Sequence, residues 1–415
     1  MIPASVCRYL ATRAVSGPWS LAGERRDFSA AVVIPALAEG RNLPATLASL
    51  AANPAQLLAD LLVVVVVNHR ADAAASDRAD NLTTLQRLAA GELSAGLNLQ
   101  WIDAASSGRQ LPPGQGVGLA RKIGLDLALS RLNWRRSPLL VSLDADTLVD
   151  ADYLPALLAH FRQATAGGAL IPFRHRPGNN PAEETAIVRY ELFLRHYVLG
   201  LALASSPYAF HSVGSAFACR AEAYAGAGGM NRRRAGEDFY FLQQLAKTCG
   251  VAPLPGTTVL PSPRASHRVP FGTGRSVSRL LAGETDAVQF YHPHCFQLVG
   301  DWLQLAADHL SNPAAELISR TEALSADLGA YLRQQEFATV WPRLQRNNPQ
   351  PTARLRAFHG WFDGLKTLRL IHHLSAGAFP RCEPLPAVHP LLRQAGIEPA
   401  ADLPGLLGQL RRLQG

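Results

Sequence analysis

Short apolar runs alternate with amphipathic segments between residues 30 and 247. Three of these runs, Ala30–Pro35, Leu61–Val67 and Leu139–Leu143, are rich in aliphatic and β-branched residues and have the length of buried strands. The segments between them carry leucines at helical spacing, as in the stretch that opens at Asn42, which we expect to cap its helix. Strand and helix in this order predict right-handed crossovers and a largely parallel sheet.

The same pattern predicts further elements and then changes. Beyond residue 290 the strand signals disappear, and helices punctuated by proline continue to the end. We therefore expect a lead-in over 1–29, an α/β domain over 30–285 and a helical C-terminal region over 286–415. The further predicted strands are Leu97–Ile102, Ala169–Phe173 and Ser212–Cys219, and the further helices are Asn81–Leu93, Leu119–Leu132, Tyr153–Ala164, Ala182–Leu203 and Phe239–Lys247.

Composition narrows the class of protein. The chain has 415 residues, of which 48% are hydrophobic and 17% charged, so a substantial core is expected. A net charge of +8 favours polyanionic partners: nucleic acid, an anionic membrane surface or phosphorylated small molecules. Nucleic acid ranks last because no basic stretch interleaved with aromatic residues and no recognisable module is present.

The distribution of the cysteines and the length of the apolar runs indicate the cellular compartment in which we expect the protein. Five cysteines are scattered without paired spacing, which fits a reducing cytoplasm. The apolar runs fall far short of the roughly 20 residues that a membrane-spanning helix needs. The N-terminus has no continuous apolar segment of the kind a signal peptide requires. We expect a soluble, cytoplasmic protein, with peripheral membrane contact as the alternative.

Two carboxylates, Asp144 and Asp146, follow the strand that begins at Leu139. If the strand continues through them, they project from the same face. Carboxylate pairs at a strand end suit Mn²⁺ or Mg²⁺, which share oxygen ligands with phosphates. The competing interpretation is an Asx-type turn with both aspartates solvated. Asp103, at another strand end, is a candidate acceptor of hydrogen bonds from a base or ribose.

A second acidic pair, Glu237 and Asp238, stands at the start of a predicted helix. It serves either to complement the helix dipole or as a general base, and we expect the dipole to keep Asp238 ionised near neutral pH. Three cations, Arg121, Lys122 and Arg275, are candidates for neutralising a diphosphate. The run Arg232–Arg234 reads equally well as a solvated basic run and as an acceptor clamp.

Four segments, in order, resemble the motifs of the large family of nucleotide-sugar-dependent glycosyltransferases that includes cellulose and hyaluronan synthases. Residues 31–47 resemble the family's opening strand and helix, and Gly118-Leu-Ala-Arg-Lys its glycine-led helix start. Asp144-Ala-Asp146 resembles its metal-binding Asp-x-Asp. Residues 214–238, which end in Gly-Glu-Asp, resemble its acceptor-side strand and catalytic helix start.

The resemblance implies the GT-A fold, with a nucleotide-binding half over 30–147 and an acceptor half over 148–285. It implies a metal-dependent, inverting transfer of a sugar from a nucleoside diphosphate sugar to a hydroxyl. Asp144 and Asp146 would bind Mn²⁺ or Mg²⁺, completed by His267, and Asp238 or Glu237 would act as the base. The donor site would comprise Pro35, Glu39, Asp103, Gly118, Arg121, Lys122, Asp144 and Arg275.

The sequence departs from the family's motifs at several places, and two other functions remain as alternatives. Asn68-His-Arg-Ala-Asp72 replaces the usual acidic residue and Gly-Ser turn, and the processive members' Gln-x-x-Arg-Trp motif and membrane helices are missing. The missing motif and membrane helices favour a non-processive enzyme, whereas the changed turn leaves the identity of the nucleotide open. The rivals are a Mg²⁺-dependent nucleotidyltransferase and a degenerate domain that only binds a sugar nucleotide. The excess of arginine near the acceptor side suggests an anionic or lipid-linked acceptor.

Overall fold

The computed structural model describes residues 2–266 and 272–415. The chain separates into two compact units. The sheet unit comprises residues up to 177, residues 212–275 and Gly415, and the helical unit comprises 178–211 and 276–414. The segment 178–211, which the sequence analysis assigned to the acceptor half, is therefore grouped with the C-terminal helices.

Strands in the described part of the chain form a seven-stranded sheet and a separate two-stranded ladder. The larger sheet has the order β3-β2-β1-β4-β7-β6-β8, in which only the pairs that involve β7 are antiparallel. The ladder pairs β5 with β9. The strands are β1 Ala30–Ala36, β2 Leu61–Asn68, β3 Asn98–Ala104, β4 Leu139–Ser142, β5 Leu148–Val149, β6 Gly168–Leu170, β7 Phe217–Arg220, β8 Val251–Pro253 and β9 Val259–Leu260.

Helices account for most of the remaining described residues, and two 3-10 turns lie at Leu129–Arg131 and Thr285–Val288. None of the described helices combines the length and the apolar character needed to cross a membrane. The helices are α1 Ala4–Thr12, α2 Leu43–Ala51, α3 Ala55–Leu58, α4 Ala75–Ala89, α5 Val117–Ala128, α6 Tyr153–Gln163, α7 Pro181–Leu203, α8 Ala221–Gly226, α9 Glu237–Thr248, α10 Thr273–Leu281, α11 Pro293–Asp308, α12 Ala314–Leu324, α13 Ala326–Gln334, α14 Phe337–Asn347, α15 Pro351–Trp361, α16 Gly364–Ala376, α17 Pro384–Gln394 and α18 Leu403–Gln414.

The centre of the large sheet is buried because its strands are apolar on both faces. Strands β1 and β2 pair in parallel from Ala30 opposite Leu61 to Ala36 opposite Val67, and every residue of both is buried. Helix α5 covers one face so closely that a Cβ at Gly124 would collide with the side chain of Val33. The predicted fold class, a mostly parallel sheet with flanking helices and C-terminal helices, is confirmed.

Helix α7 belongs to the helical unit because its buried face joins that unit's core. Leu192 and Leu199 of α7 share one apolar cluster with Trp302 of α11 and Leu410 of α18. Glu191, fully buried on α7, accepts from Arg195 Nε at 2.9 Å. It also accepts two hydrogen bonds of 2.8 Å from Arg411 on α18. The apolar contact between α7 and α18 thus includes an ion-paired carboxylate, that of Glu191.

Replacing Glu191 by glutamine is expected to lower the free energy of unfolding by about 1.5–3 kcal/mol, because two guanidiniums lose a charged acceptor in a buried place. Glu316→Gln is the matched control, since Glu316 also pairs with an arginine four residues later, but on the surface. The control should cost less than about 0.5 kcal/mol. Urea unfolding of both variants checks this, and equal losses would contradict it.

Candidate functional site

Asp144 and Asp146 lie in the loop that follows β4. The strand ends at Ser142, and the amide of Thr147 donates to the backbone oxygen of Asp144 at 3.1 Å, which closes a turn. The condition for both carboxylates to project from one face, a strand that continues through them, is therefore not met. The turn instead directs each carboxylate to a different arginine.

Asp144 is part of a cluster centred on the buried Arg121 of α5. Arg121 Nη2 donates to Asp144 Oδ1 at 2.5 Å, and its Nε donates to Glu237 Oε1 at 2.8 Å. Its Nη1 donates to the hydroxyl of Ser142. Burial alone would lower the pKa of Arg121, but Asp144 and Glu237 raise it, so the guanidinium stays charged. A Cβ at Gly214 would overlap Arg121 Nη2, so a side chain there would displace this guanidinium.

The start of α5 is fixed against the loop that leads into α9. The amide of Gly118 donates to the backbone oxygen of Arg233 at 3.1 Å. A Cβ at Gly118 would lie 2.6 Å from that oxygen and 2.9 Å from Glu237 Cβ. The lack of a side chain at Gly118 thus lets α5 approach α9, which brings Arg121 within reach of Glu237. Gly118 therefore supports the cluster around Arg121 by permitting this close approach of the two helices.

Asp238 follows Glu237 in the first turn of α9 and is half-buried. Its Oδ1 accepts from the amide of Phe239 at 2.8 Å. Burial and the neighbouring Glu237 carboxylate raise the pKa of Asp238 to about 7, against the opposing effect of Arg121. From the sequence we expect the helix dipole to keep Asp238 ionised near neutral pH, whereas a pKa of about 7 means that the group is ionised only in part there. Near pH 7 the group exchanges protons readily, as a general base requires.

Asp146 is held by a second arginine, Arg264, which follows β9. Arg264 Nε donates to Asp146 Oδ2 at 2.9 Å, and its Nη2 donates to Glu39 Oε1. Arg176 Nη2 donates to the backbone oxygen of Asp146 at 3.1 Å. Asn42 does not cap α2 with its side chain; its Nδ2 donates to Glu39 Oε2 at 2.8 Å instead. A guanidinium thus bridges two acidic side chains at the carboxyl edge of the sheet.

The donor set around Asp144 and Asp146 is compatible with Mn²⁺ or Mg²⁺. Both side chains offer carboxylate oxygens, and the hydrogen bonds to Arg121 and Arg264 use one oxygen of each. Within residues 2–266 and 272–415, no group of three or more His, Cys, Asp or Glu side chains converges on one point. Mg²⁺ is commonly held by one or two carboxylates together with substrate phosphates, so two suffice. The predicted third ligand, His267, lies outside the described residues.

Lys122 belongs to a different cluster from the one around Asp144. Its Nζ donates to the hydroxyl of Tyr9 at 2.6 Å and pairs with Asp126 Oδ2 at 3.0 Å. Tyr9 and Tyr224 both donate to Asp126 Oδ1, at 2.6 and 2.7 Å. This buried network attaches α1 to α5 and engages the ammonium group that the sequence analysis assigned to the donor. We therefore leave Lys122 out of the proposed donor site.

The other predicted donor residues lie at separate places in the sheet unit. Pro35 is buried within β1. Asp103 ends β3, where its Oδ1 accepts from the amides of Ala105 and Ser106. Burial would raise the pKa of Asp103, but the hydrogen bonds from Ser106 lower it, so the carboxylate is ionised at neutral pH. Arg275 is exposed in the first turn of α10.

Exposed arginines lie next to the start of α5 and α9. Arg232, Arg233 and Arg234 are all exposed, and the Arg233 guanidinium stacks 3.7 Å from the ring centroid of Tyr240. Arg174 is exposed as well, whereas Arg176 is bonded to the Asp146 loop. The run is therefore partly a solvated basic surface and partly ordered by an aromatic ring.

Arg264 and Ser142 are the site residues that the sequence analysis missed. Arg264 stands in a Pro/Ser-rich stretch without periodicity and reaches Glu39 across 225 residues of chain. No local pattern signals such a contact. Ser142 was identifiable as the only polar side chain between Leu139 and Leu143, because a polar residue inside a buried run needs a partner.

Together these features define an α/β protein with two acid–arginine clusters beyond the carboxyl ends of its parallel strands. No model of a known protein family matches the chain, and no curated protein matches it.

Several solved structures resemble it at low identity. S. aureus TarS with UDP-GlcNAc is 15% identical, with 76% of this chain and 88% of that chain covered and a TM-score of 0.41. A mannosyltransferase from Pyrobaculum calidifontis with GDP-Man and Mn²⁺ is 18% identical, with coverage of 87% and 95% and a TM-score of 0.37. M. tuberculosis glucosyl-3-phosphoglycerate synthase is 15% identical, with coverage of 69% and 86% and a TM-score of 0.33. Likeness of this size carries no argument about function, which rests on the site.

Proposed function

We propose that the protein is a glycosyltransferase that moves a sugar from a nucleoside diphosphate sugar to an acceptor hydroxyl. The observation that carries this proposal is the cluster in which Arg121 joins Asp144, at the end of β4, to Glu237, which precedes Asp238. The cluster supports the proposal because the loop that would anchor the donor lies next to a carboxylate whose pKa of about 7 suits a base. Ligands of open α/β sheets bind at this edge.

Asp238 is the proposed base. The acceptor hydroxyl loses its proton to the Asp238 carboxylate while its oxygen forms a bond to the anomeric carbon. The bond from that carbon to the diphosphate oxygen breaks, and its electron pair leaves with the nucleoside diphosphate. Positive charge develops on the sugar in the transition state, as in glycoside hydrolysis. Glu237, bonded to Arg121, is the second candidate.

Arg121 is proposed as a positioning residue. Each of its nitrogens already donates to an acceptor: Asp144, Glu237 or Ser142. It therefore fixes the two acidic segments relative to each other and keeps their charges tolerable in a buried place.

Asp144 and Asp146 are the proposed ligands for Mn²⁺ or Mg²⁺, with His267 as a proposed third. When bound, such an ion neutralises negative charge on the leaving diphosphate. Glu39 and Pro35, at the end of β1, and Asp103, at the end of β3, are proposed to line the donor side.

The proposed reaction inverts the anomeric configuration. A single base on the acceptor side and a leaving group on the donor side favour direct in-line displacement. The exposed arginines at 232–234 support an anionic acceptor, soluble or lipid-linked. Loss of acceptor affinity with rising salt would test this charge contribution.

A panel of nucleotide sugars tests the proposed function. Each is added with Mn²⁺, and two quantities are followed: the melting temperature of the protein and the release of nucleoside diphosphate. A bound donor stabilises the folded state by mass action, so the true donor should raise the melting temperature. If no sugar nucleotide stabilises the protein or releases nucleoside diphosphate, the proposal fails.

The rate should depend on pH through Asp238. A base acts only when deprotonated, and burial beside Glu237 raises the pKa of Asp238 to about 7. We therefore expect kcat/KM to rise about tenfold per pH unit below pH 7 and to level off above it. Initial rates between pH 5 and 9 check this. A profile that is flat below pH 7, or that falls as the pH rises through 7, would contradict the assignment.

A further inference from the structure

A protein cation lies where the acidic loops after β1 and β4 meet. Arg264 donates from Nε to Asp146 Oδ2 at 2.9 Å and from Nη2 to Glu39 Oε1. The two carboxylates are thus held around one positive charge, although Glu39 and Asp146 lie far apart in sequence. Carboxylates arranged around a cation in this way are also suited to a divalent ion.

The three side chains differ in exposure. Glu39 is 7% exposed, Asp146 21% and Arg264 28%. The buried carboxylate of Glu39 needs a nearby positive charge, because an unpaired charge is costly in a buried place. Arg264 is the most exposed of the three, which favours its displacement over that of either carboxylate. The loop itself is held separately, by Arg176 Nη2 on the backbone oxygen of Asp146.

We propose that Arg264 is the resident cation of Asp146 and Glu39 and that it competes with a divalent metal ion for Asp146. The proposal rests on the proposed function only in that it takes Asp146 to be a metal ligand. It adds a role for Arg264, which no sequence motif indicated.

Competition between Arg264 and the metal ion makes the binding of donor and the binding of metal depend on each other. Without a donor, metal affinity is weakened because the Asp146 carboxylate is already paired. A diphosphate offers the displaced guanidinium a new anionic partner, since arginine binds phosphate oxygens well. Donor and metal should then strengthen each other's binding, and by linkage the effect is reciprocal.

The experiment measures Mn²⁺ binding to the full chain without any donor, by the loss of the free-ion electron paramagnetic resonance signal. Arg264→Met should bind Mn²⁺ at least about tenfold more tightly than the wild type, because a charge beside a carboxylate shifts its ion affinity by an order of magnitude or more. Arg136→Met is the matched control. Arg136 pairs with Asp60 on the surface and should leave Mn²⁺ affinity within about twofold.

A second variant tests whether the gain in Mn²⁺ affinity depends on Asp146. Asp146→Asn, combined with Arg264→Met, should abolish the tighter binding. If Arg264→Met does not fold, Arg264→Lys replaces it. Its single ammonium cannot bridge both carboxylates as a guanidinium does, so a smaller gain in affinity is expected. Mn²⁺ should also raise the melting temperature of the arginine variant more than that of the wild type.

Unchanged or weaker Mn²⁺ binding by Arg264→Met, or a gain that survives Asp146→Asn, would overturn the proposal. This result is independent of sugar transfer. A protein in which Arg264 controls Mn²⁺ binding but that cleaves no nucleotide sugar would refute the proposed function alone. If the protein transfers sugar but the wild type and Arg264→Met bind Mn²⁺ equally well, the competition alone is refuted.

Discussion

Asp238→Asn is expected to lower the turnover of sugar transfer by about 10²–10⁴-fold, the usual effect of losing a general base. Asparagine keeps the size of the side chain and the acceptor oxygen for the amide of Phe239, which donates to it at 2.8 Å. It removes only the group that accepts the proton. Donor binding, measured by the shift in melting temperature, should therefore survive, and the rise of rate toward pH 7 should disappear with the base.

The matched control is Asp152→Asn. Asp152 also stands at a helix start, before α6, but it is exposed. Its turnover should stay within about twofold of the wild type, since surface substitutions have small effects. If Asp238→Asn transfers sugar at near wild-type rate while Glu237→Gln is inactive, the two carboxylates exchange roles. If all three variants are fully active, the base lies elsewhere.

Arg121→Met is expected to lower the free energy of unfolding by about 3–5 kcal/mol, the cost of removing one partner from a buried ion pair. Glu237 is only 4% exposed, and without Arg121 its carboxylate loses the guanidinium that balances its charge. The pKa of Asp238 should also rise, because Arg121 lowers it in the wild type. Stabilisation by the donor should be lost as well, because Arg121 orients Asp144.

Arg131→Met provides the comparison for this variant. Arg131 is also buried, and its Nη2 donates to the backbone oxygen of Leu21 at 2.6 Å. Its loss should cost about 1.5–3 kcal/mol, the range for a hydrogen bond to a charged group, and donor binding should persist. Urea unfolding and melting curves with donor test both variants. An Arg121→Met protein that unfolds like the wild type and binds donor would contradict the positioning role.

The sheet was predictable because its signal is local. The unbroken aliphatic runs of β1 and β2 allow no other placement than between two layers, and their boundaries agree to within one residue. The turn that follows β4 was not predictable in the same way. The turn at Asp144 depends on a backbone hydrogen bond to Thr147 rather than on the apolar run before it.

The sequence indicated candidate site residues but not their pairings. Spacing and resemblance pointed to Asp144, Asp146, Glu237 and Asp238. The pairing of Asp146 with Arg264 joins residues 118 apart, and sequence pattern carries no information about such a contact. The pKa of Asp238 was likewise not predictable from the sequence. Burial and the Glu237 carboxylate raise this pKa more than Arg121 and the amide of Phe239 lower it, and all these effects depend on the packing around α9.

Phosphorus NMR of the products tests the central claim most directly. The donor that stabilises the protein is incubated with it, and the fate of the diphosphate is read from the spectrum. The proposed transfer breaks the bond between the anomeric carbon and the diphosphate, so a nucleoside diphosphate should accumulate, and much more slowly with Asp238→Asn. Sugar phosphate together with a nucleoside monophosphate or triphosphate would indicate cleavage within the diphosphate, as in a nucleotidyltransferase. Donor that binds and remains intact would indicate a binding domain, and either result would contradict the account.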